Sequence, residues 1–279
     1  STWLITLSEL TAEYDAPWCG GVYANSTDAL AVELQTLNPT WTNPLWIEAG
    51  DVNNSGALNS TDALWIKQRA IAMVNHFPAG DWAFTNPMAV AAGTYDVYTL
   101  SYGDVTRNYI PSSGKDMPAV ALYNDGYINV TEGELFDLPI RVADAVTLGA
   151  ITLQLEYNSA LLEVVEVNAV EGALSNATNG NIALAWSDVN PLVLNNDDVI
   201  VTLKLKALGP IASSDVLFSI GMNTEFADPA AQVLDNVNLK AFGITTDPAA
   251  TDYFLSYNRP NPFSTYTNIE YTLPESGKV

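Results

Sequence analysis

The chain has 279 residues, 48% of them hydrophobic, with 32 acidic against 10 basic residues and a net charge of −22. That apolar content excludes a disordered chain and the length suggests two or three domains, while the charge repels nucleic acid and anionic membranes and attracts divalent cations. A lone cysteine, Cys19, excludes an internal disulfide framework and a multi-cysteine metal site, and a lone His76 excludes most histidine-based chemistry.

Residues 3 to 14, WLITLSELTAEY, partly alternate in polarity and predict a strand that ends a preceding β domain over 1–16. No run of about 18 apolar residues spans a membrane and no signal peptide opens the chain, so it is expected to be a piece of a longer precursor, Ser1 and Val279 not being its natural ends. The hexapeptide NSTDAL stands at 25–30 and again at 59–64, 34 positions on. Residues 26 to 37 and 60 to 75 each begin Ser-Thr-Asp and carry apolar residues at helical spacing, which predicts two helices capped at Ser26 and Ser60. Residues 82–117 are rich in turn signals, with strand-like pieces at 95 to 101, and form a connector. Over 118–245, nine short runs of strand character separated by Gly, Asn, Asp and Pro predict a β-sandwich: AVALY, GYINVT, FDLPIRVA, LGAITLQLEY, LLEVVEVN, NIALAWSD, VIVTLKLKAL, DVLFSIG and LKAFGI. Residues 246–279 read as a linker followed by the start of another unit.

Counted from Asp51, GDVNNSGALNSTD sets Asp51, Asn53, Ser55, Ala57, Asn59 and Asp62 at positions 1, 3, 5, 7, 9 and 12 of a calcium loop, with Gly56 at the sharp turn. Ca²⁺ takes six to eight oxygens, and this spacing folds alternate side chains plus the Ala57 carbonyl around one point. Ser at position 5 and Asp in place of Glu at position 12 depart from the EF-hand pattern. An Asx-rich turn that merely caps a helix has the same composition.

On these residues, 17–81 resembles a type I dockerin module, a tandem of two loop–helix repeats. The resemblance implies calcium as cofactor and a cohesin as partner, contacted through Ser26, Thr27, Ser60 and Thr61. In the first repeat the register puts Pro17, Cys19 and Gly21 at positions 1, 3 and 5, none a useful ligand for a hard cation. A further GDV, in GDVTRNY at 103–109, is either a plain turn or a return of Asp104 to the side of Asp28, lending an oxygen to a composite second calcium site.

Residues 118–245 are similar, at the level of pattern, to a cohesin sandwich (a jelly roll), carried by ELFDLPIRVADAVTLGAITLQLEYNSALLEV and NGNIALAWSD. Cohesins present one sheet face to a dockerin. Trp186 is either core or a sugar-stacking platform, and its alternation with Ile182 and Leu184 favours core. The tail YFLSYNRPNPFSTYTNIEYTLPESGKV resembles the opening of the type A C-terminal sorting domain of the type IX secretion system of Bacteroidetes-type bacteria, which implies export to the outer surface or medium by that machinery.

The sequence shows no GxSxG, no HExxH, no phosphate-cradling loop and no carboxylate pair in a recognisable glycosidase setting. The expected protein is therefore a multidomain α plus β, non-enzymatic, calcium-stabilised scaffolding or adhesion region of a cell-surface protein. Its modules would dock within one chain or between neighbouring copies, the latter giving head-to-tail filaments. The alternative is the accessory tail of a secreted polysaccharide-degrading enzyme, the sandwich binding carbohydrate.

Overall fold

The computed structural model describes residues 24–85, 98–106, 120–124, 127–178, 180–212, 215–234, 237–240, 242–246, 254–255 and 271–272. The strand expected at 3 to 14, the loop residues Pro17, Cys19 and Gly21, and most of the tail lie outside these residues.

Among the described residues three helices come first: α1 (Ser26–Leu37), α2 (Pro44–Gly50) and α3 (Ser60–Ala70). Their caps correct the sequence expectation by one residue. Asn25 and Asn59, not the serines, are the N-caps, and their side chains accept from Thr27 N (2.7 Å) and Thr61 N (2.8 Å). Asp28 and Asp62 at the third helical position reach back to the backbone N–H of Asn25 and Asn59, each at 3.0 Å. NSTD is thus a reciprocal capping box, in which Asn and Asp satisfy donors that a helix start leaves open. The following Ala-Leu begins the apolar stripe. α3 stops at Ala70 rather than 75, with Ile71 as cap and Ala72 turning to φ +56°. α2 is additional to the expected pair: Asn43 caps it and Pro44 opens it, but seven residues carry too little period to stand out.

An antiparallel pair of β1 (Trp82–Phe84) and β2 (Thr99–Ser101) follows, and the chain then turns back onto the helices. Ala83, Leu100 and Val105 join Ala29, Val32, Ala49 and Ile66 in one apolar core. The segment expected as a connector therefore supplies part of the helical core. Gly103 permits this return at φ +86°, its N–H bonding Ala49 O at 2.8 Å, and a β-carbon there would stand 2.8 Å from both Ala24 and Phe77.

The sandwich has two main sheets. One runs β14 (Val237–Leu239), β3 (Val120–Tyr123), β5 (Leu135–Val142), β10 (Val199–Ala207), β7 (Leu162–Ala169). The other runs β13 (Val233–Leu234), β12 (Glu225–Ala227), β6 (Val146–Tyr157), β9 (Asn181–Leu194), β8 (Leu174–Thr178), with β11 (Phe218–Ile220) also paired to β6. β4 (Tyr127–Asn129) pairs in parallel with β15 (Gly243–Thr245), and β16 (Phe254–Leu255) pairs with β17 (Tyr271–Thr272). Each of the nine expected runs overlaps a strand, LKAFGI touching both the end of β14 and the start of β15, and three further segments, β8, β12 and β13, raise the number between 120 and 245 beyond nine. β5 shows why the nine were readable: along FDLPIRV every second residue is buried and those between are exposed or half-buried. Leu122, Leu138, Ile140, Leu153, Leu184 and Leu203 fill the space between the sheets, each 2% exposed or less. Trp186 belongs to this core, 5% exposed, with its indole N–H donating to Glu171 O at 3.1 Å, so it is no sugar platform.

Candidate interaction site

β6 and β9 break the alternation that marks the other strands. Residues 148–153 and 182–187 are buried at every position, so both faces of these strands are covered. Inward lies the sandwich core. Outward lies the helix pair.

The outer face is floored with small residues. Leu30 of α1 sits with Ala150 and Ala227, flanked by Leu34 and Ala231, while Ala70 and Ile71 at the end of α3 rest on Ala183 and Ala185. Gly149, where β6 slips register against β9, makes the seat for α1: a β-carbon there would meet Leu30 Cδ2 at 2.6 Å, Asp228 O at 2.5 Å and Pro229 Cα at 2.8 Å.

Polar contacts ring this floor. The Ser26 N–H donates to Thr152 Oγ1 at 2.9 Å, and Asn25 Nδ2 and Thr27 Oγ1 both donate to Glu225 Oε1, at 3.0 and 2.5 Å. Asn176 Nδ2 donates to Ile71 O at 2.8 Å. Lys67 pairs with Glu33 at 3.2 Å, and Ser187 Oγ donates to the same Glu33 oxygen at 3.2 Å. Burial pushes the Glu33 carboxyl above its ordinary range, against the downward pull of Lys67 and Ser187.

Of the residues expected to contact a partner, Ser26 and Thr27 are therefore fully buried against the sandwich of their own chain. Ser60 and Thr61, their equivalents in the second repeat, are exposed. The sequence reading missed Gly149, Thr152, Ser187 and Glu225. The signal for the first three was present, since LGAITL and IALAWS are too apolar on both faces for strands with one side in water.

The 51–62 loop is closed by hydrogen bonds among its own residues. Asp51 accepts from Ser55 N (2.8 Å) and Gly56 N (2.6 Å), Asp62 from Asn53 N (3.3 Å), and the Ala57 carbonyl from Ser55 Oγ (3.1 Å) and Asn59 Nδ2 (2.9 Å). Asn54 and Gly56 take positive φ to make the turns. Burial chiefly, and the nearby Asp51 charge, push the Asp62 carboxyl up. Asn59 gives its Oδ1 to the helix cap, so its share in a cation's shell would pass through water. Among the described residues no group of three or more His, Cys, Asp or Glu could hold a metal ion. A cation here would rely on two carboxylates and neutral oxygens, a set that fits a hard ion of flexible geometry.

The first repeat has the same arrangement built from two distant pieces. Thr106 N donates to Asp28 Oδ1 at 2.9 Å as Asn53 N does to Asp62 Oδ1, and Asn25 N donates to Asp28 Oδ2 as Asn59 N does to Asp62 Oδ2. The GDV of 103–105 thus stands to Asp28 as the GDV of 50–52 stands to Asp62. Val105 N and Thr106 Oγ1 add two more donors to Asp28 Oδ1, at 3.0 and 2.7 Å. Complete burial, and then the charge of Asp104, hold the Asp28 carboxyl well above its ordinary range. The GDV of GDVTRNY is a turn, with Asp104 N bonding Ser101 O at 3.2 Å, and the same turn returns the chain to the side of Asp28.

The sandwich face beneath the helix pair is thus made of small residues and rimmed by Thr152, Ser187 and Glu225. Residues 126–241 match the family model of the cohesin domain, so this part of the chain is a cohesin-type protein–protein interaction module. Among solved structures, the chain is similar to a type I cohesin–dockerin complex from Clostridium thermocellum, at 15% identity and a TM-score of 0.39, covering 48% of this chain and 97% of that one. It is similar to CaCohA2 from Clostridium acetobutylicum at 17% identity and a TM-score of 0.38, covering 46% and 90%. A non-cellulosomal cohesin from the archaeon Archaeoglobus fulgidus shows 18% identity and a TM-score of 0.36, covering 47% and 93%. No curated protein matches the sequence. No helix among the described residues is long and apolar enough to cross a membrane.

Proposed function

We propose that this chain is a non-enzymatic scaffolding region in which a dockerin-like helix pair is docked on the cohesin-type sandwich of the same chain, forming one rigid unit. The observation that carries the reading is the seating of Ser26, Thr27 and Leu30 on Thr152, Glu225 and Ala150. Internal docking leaves the sandwich face filled and the Ser60–Thr61 face open to an external partner of cohesin type. Because a tethered partner is present at an effective concentration near millimolar, docking within the chain outcompetes docking between copies. Sedimentation at rising protein concentration is expected to show a constant monomer, with and without chelator. Calcium-dependent growth beyond a dimer would instead mean head-to-tail assembly through the same faces.

Calcium is the proposed cofactor, held by Asp51 and Asp62 with Asn53, Ser55, the Ala57 carbonyl and Asn59. With two carboxylates the affinity is expected on the order of micromolar to millimolar, and Mg²⁺ is expected to substitute poorly because it demands a stricter octahedron. Asp51→Ala should abolish binding at this loop in calorimetry, and retention of Ca²⁺ affinity in that variant sinks the assignment. A stoichiometry of two would put the second ion between Asp28 and Asp104. Export to the outer surface by the type IX machinery rests on the resemblance of the tail to a sorting domain, within which Phe254 pairs with Thr272 and Leu255 with Tyr271.

A further inference from the structure

The two helix starts are spelled identically through NSTDAL, yet only one lies on the sandwich. α1 meets the sheet through Ser26, Thr27, Leu30 and Leu34, and α3 through Lys67, Ala70 and Ile71. Aligned on NSTDAL, the second repeat offers Ser60, Thr61, Leu64 and Gln68 for the first set, and the first repeat offers Glu33, Thr36 and Leu37 for the second. A helix pair turned so that α3 takes the seat of α1 would keep the Ser-Thr contacts, the leucine over Gly149 and the Glu33–Lys67 pair. Leu37 for Ile71 is a swap of nearly equal volume. Two positions do not survive the turn. Gln68 would stand where half-buried Leu34 packs beside Ala150, Ala227 and Ala231, replacing an apolar contact with an amide pressed against methyl groups, and Thr36 would stand where fully buried Ala70 lies on Ala183 and Ala185.

We propose that Leu34 and Ala70, set against Gln68 and Thr36, decide which of the two repeats occupies the sandwich, making the docking one-way despite the repeated motif. The proposal rests on the docked reading above and adds what selects its orientation. The selection is a difference of affinities in which the disfavoured arrangement is penalised by a half-buried amide and an overpacked threonine.

Disulfide trapping in the full chain tests this. In a Cys19→Ser background, Thr152→Cys is combined either with Ser26→Cys or with Ser60→Cys. Ser26 suits the purpose because its hydroxyl makes no hydrogen bond and its N–H lies 2.9 Å from Thr152 Oγ1. The otherwise native chain should trap position 26 and not position 60. Adding Gln68→Leu and Thr36→Ala touches only exposed or half-buried sites, and is expected to raise trapping at 60 by roughly tenfold or more. The full exchange, with Leu34→Gln and Ala70→Thr as well, should make 60 the main product. Trapping at 60 as readily as at 26 in the native chain overturns the proposal. So does trapping at 26 alone after the exchange, which would mean that the tether between the modules makes the choice. Trapping at neither site in the native chain refutes the docked reading itself, and this proposal with it.

Discussion

Gly149→Ala is expected to lift α1 from the sandwich while the sandwich stays folded, because the added β-carbon has nowhere to go. It would meet Leu30 on one side and the backbone of Asp228 and Pro229 on the other, all at 2.8 Å or less. The side that yields is set by stiffness. The 228–232 turn is laced by hydrogen bonds from Ala230 N and Gln232 N to Asp228 Oδ1 and from Asp228 N to Gln232 O, whereas α1 is held by Leu30 and a few rim contacts. Overpacking of this kind costs about 1–3 kcal/mol, a large share of what so small an interface can supply, and Gly149→Val should cost more. Hydrogen exchange is the readout: amides of α1 lose protection by about one to two orders of magnitude while β5 and β10 keep theirs. Gly209→Ala is the control, since nothing lies within 4 Å of its hypothetical β-carbon. Unchanged protection of α1 in both Gly149 variants would show that the helix pair does not depend on this seat.

That seat was written in the sequence in a form that strand patterns conceal. β5 and β10 announce themselves because one side of each is polar, as in LFDLPIRV and VTLKLKA. β6 and β9 were legible as strands for the same apolar content, but what GAIT and ALAW add is a second buried face made of Gly and Ala. Such residues raise hydropathy only slightly, so the covered face looks like a weak alternation rather than a docking floor. β8, LSNAT, is half-exposed and polar, and its place comes from pairing with β9 rather than from its own pattern. The NSTDAL helices were plain, yet the cap fell one residue early because Asn, Ser and Thr all cap well and only the reciprocal Asn–Asp bonds distinguish them. Thr152 and Glu225 lie far along the chain from the helix start they receive. No local spacing could have joined them to Ser26 and Thr27. The GDV echo did point to Asp104 and Asp28, and the structure joined them by spending backbone N–H groups of 105 and 106 on Asp28, a bond type that leaves no trace in residue identity.

Asp28→Ala, measured in chelator, is expected to cost the helical module about 3–5 kcal/mol, the second large effect. Its carboxylate accepts from Asn25 N, Val105 N, Thr106 N and Thr106 Oγ1 in a site with no exposure to solvent. Alanine would leave these donors buried without an acceptor and break the capping box as well. Asp28→Asn keeps one carbonyl oxygen for residues 105 and 106 but turns an N–H₂ toward Asn25 N–H, and should lose less. The charge adds a pH dependence whose sign follows from linkage. Burial and Asp104 raise the Asp28 pKa in the folded state, so the folded module binds the proton more tightly than the unfolded one. The penalty is absent below the ordinary carboxylate value of 3.8, grows as pH rises from there through the raised folded value, and is complete above it. Acidification from neutral pH toward that ordinary value should therefore stabilise the helical module through this residue, and the difference between native and Asp28→Asn isolates its share from the other carboxylates. Thermal unfolding followed by circular dichroism of the helices reads it: the native midpoint should rise relative to that of Asp28→Asn as the pH falls. Parallel pH curves for the two proteins, together with a loss under about 1 kcal/mol in Asp28→Ala, would mean that the 103–106 turn is held by its apolar contacts with Phe77 and Ala24 and not by the carboxylate.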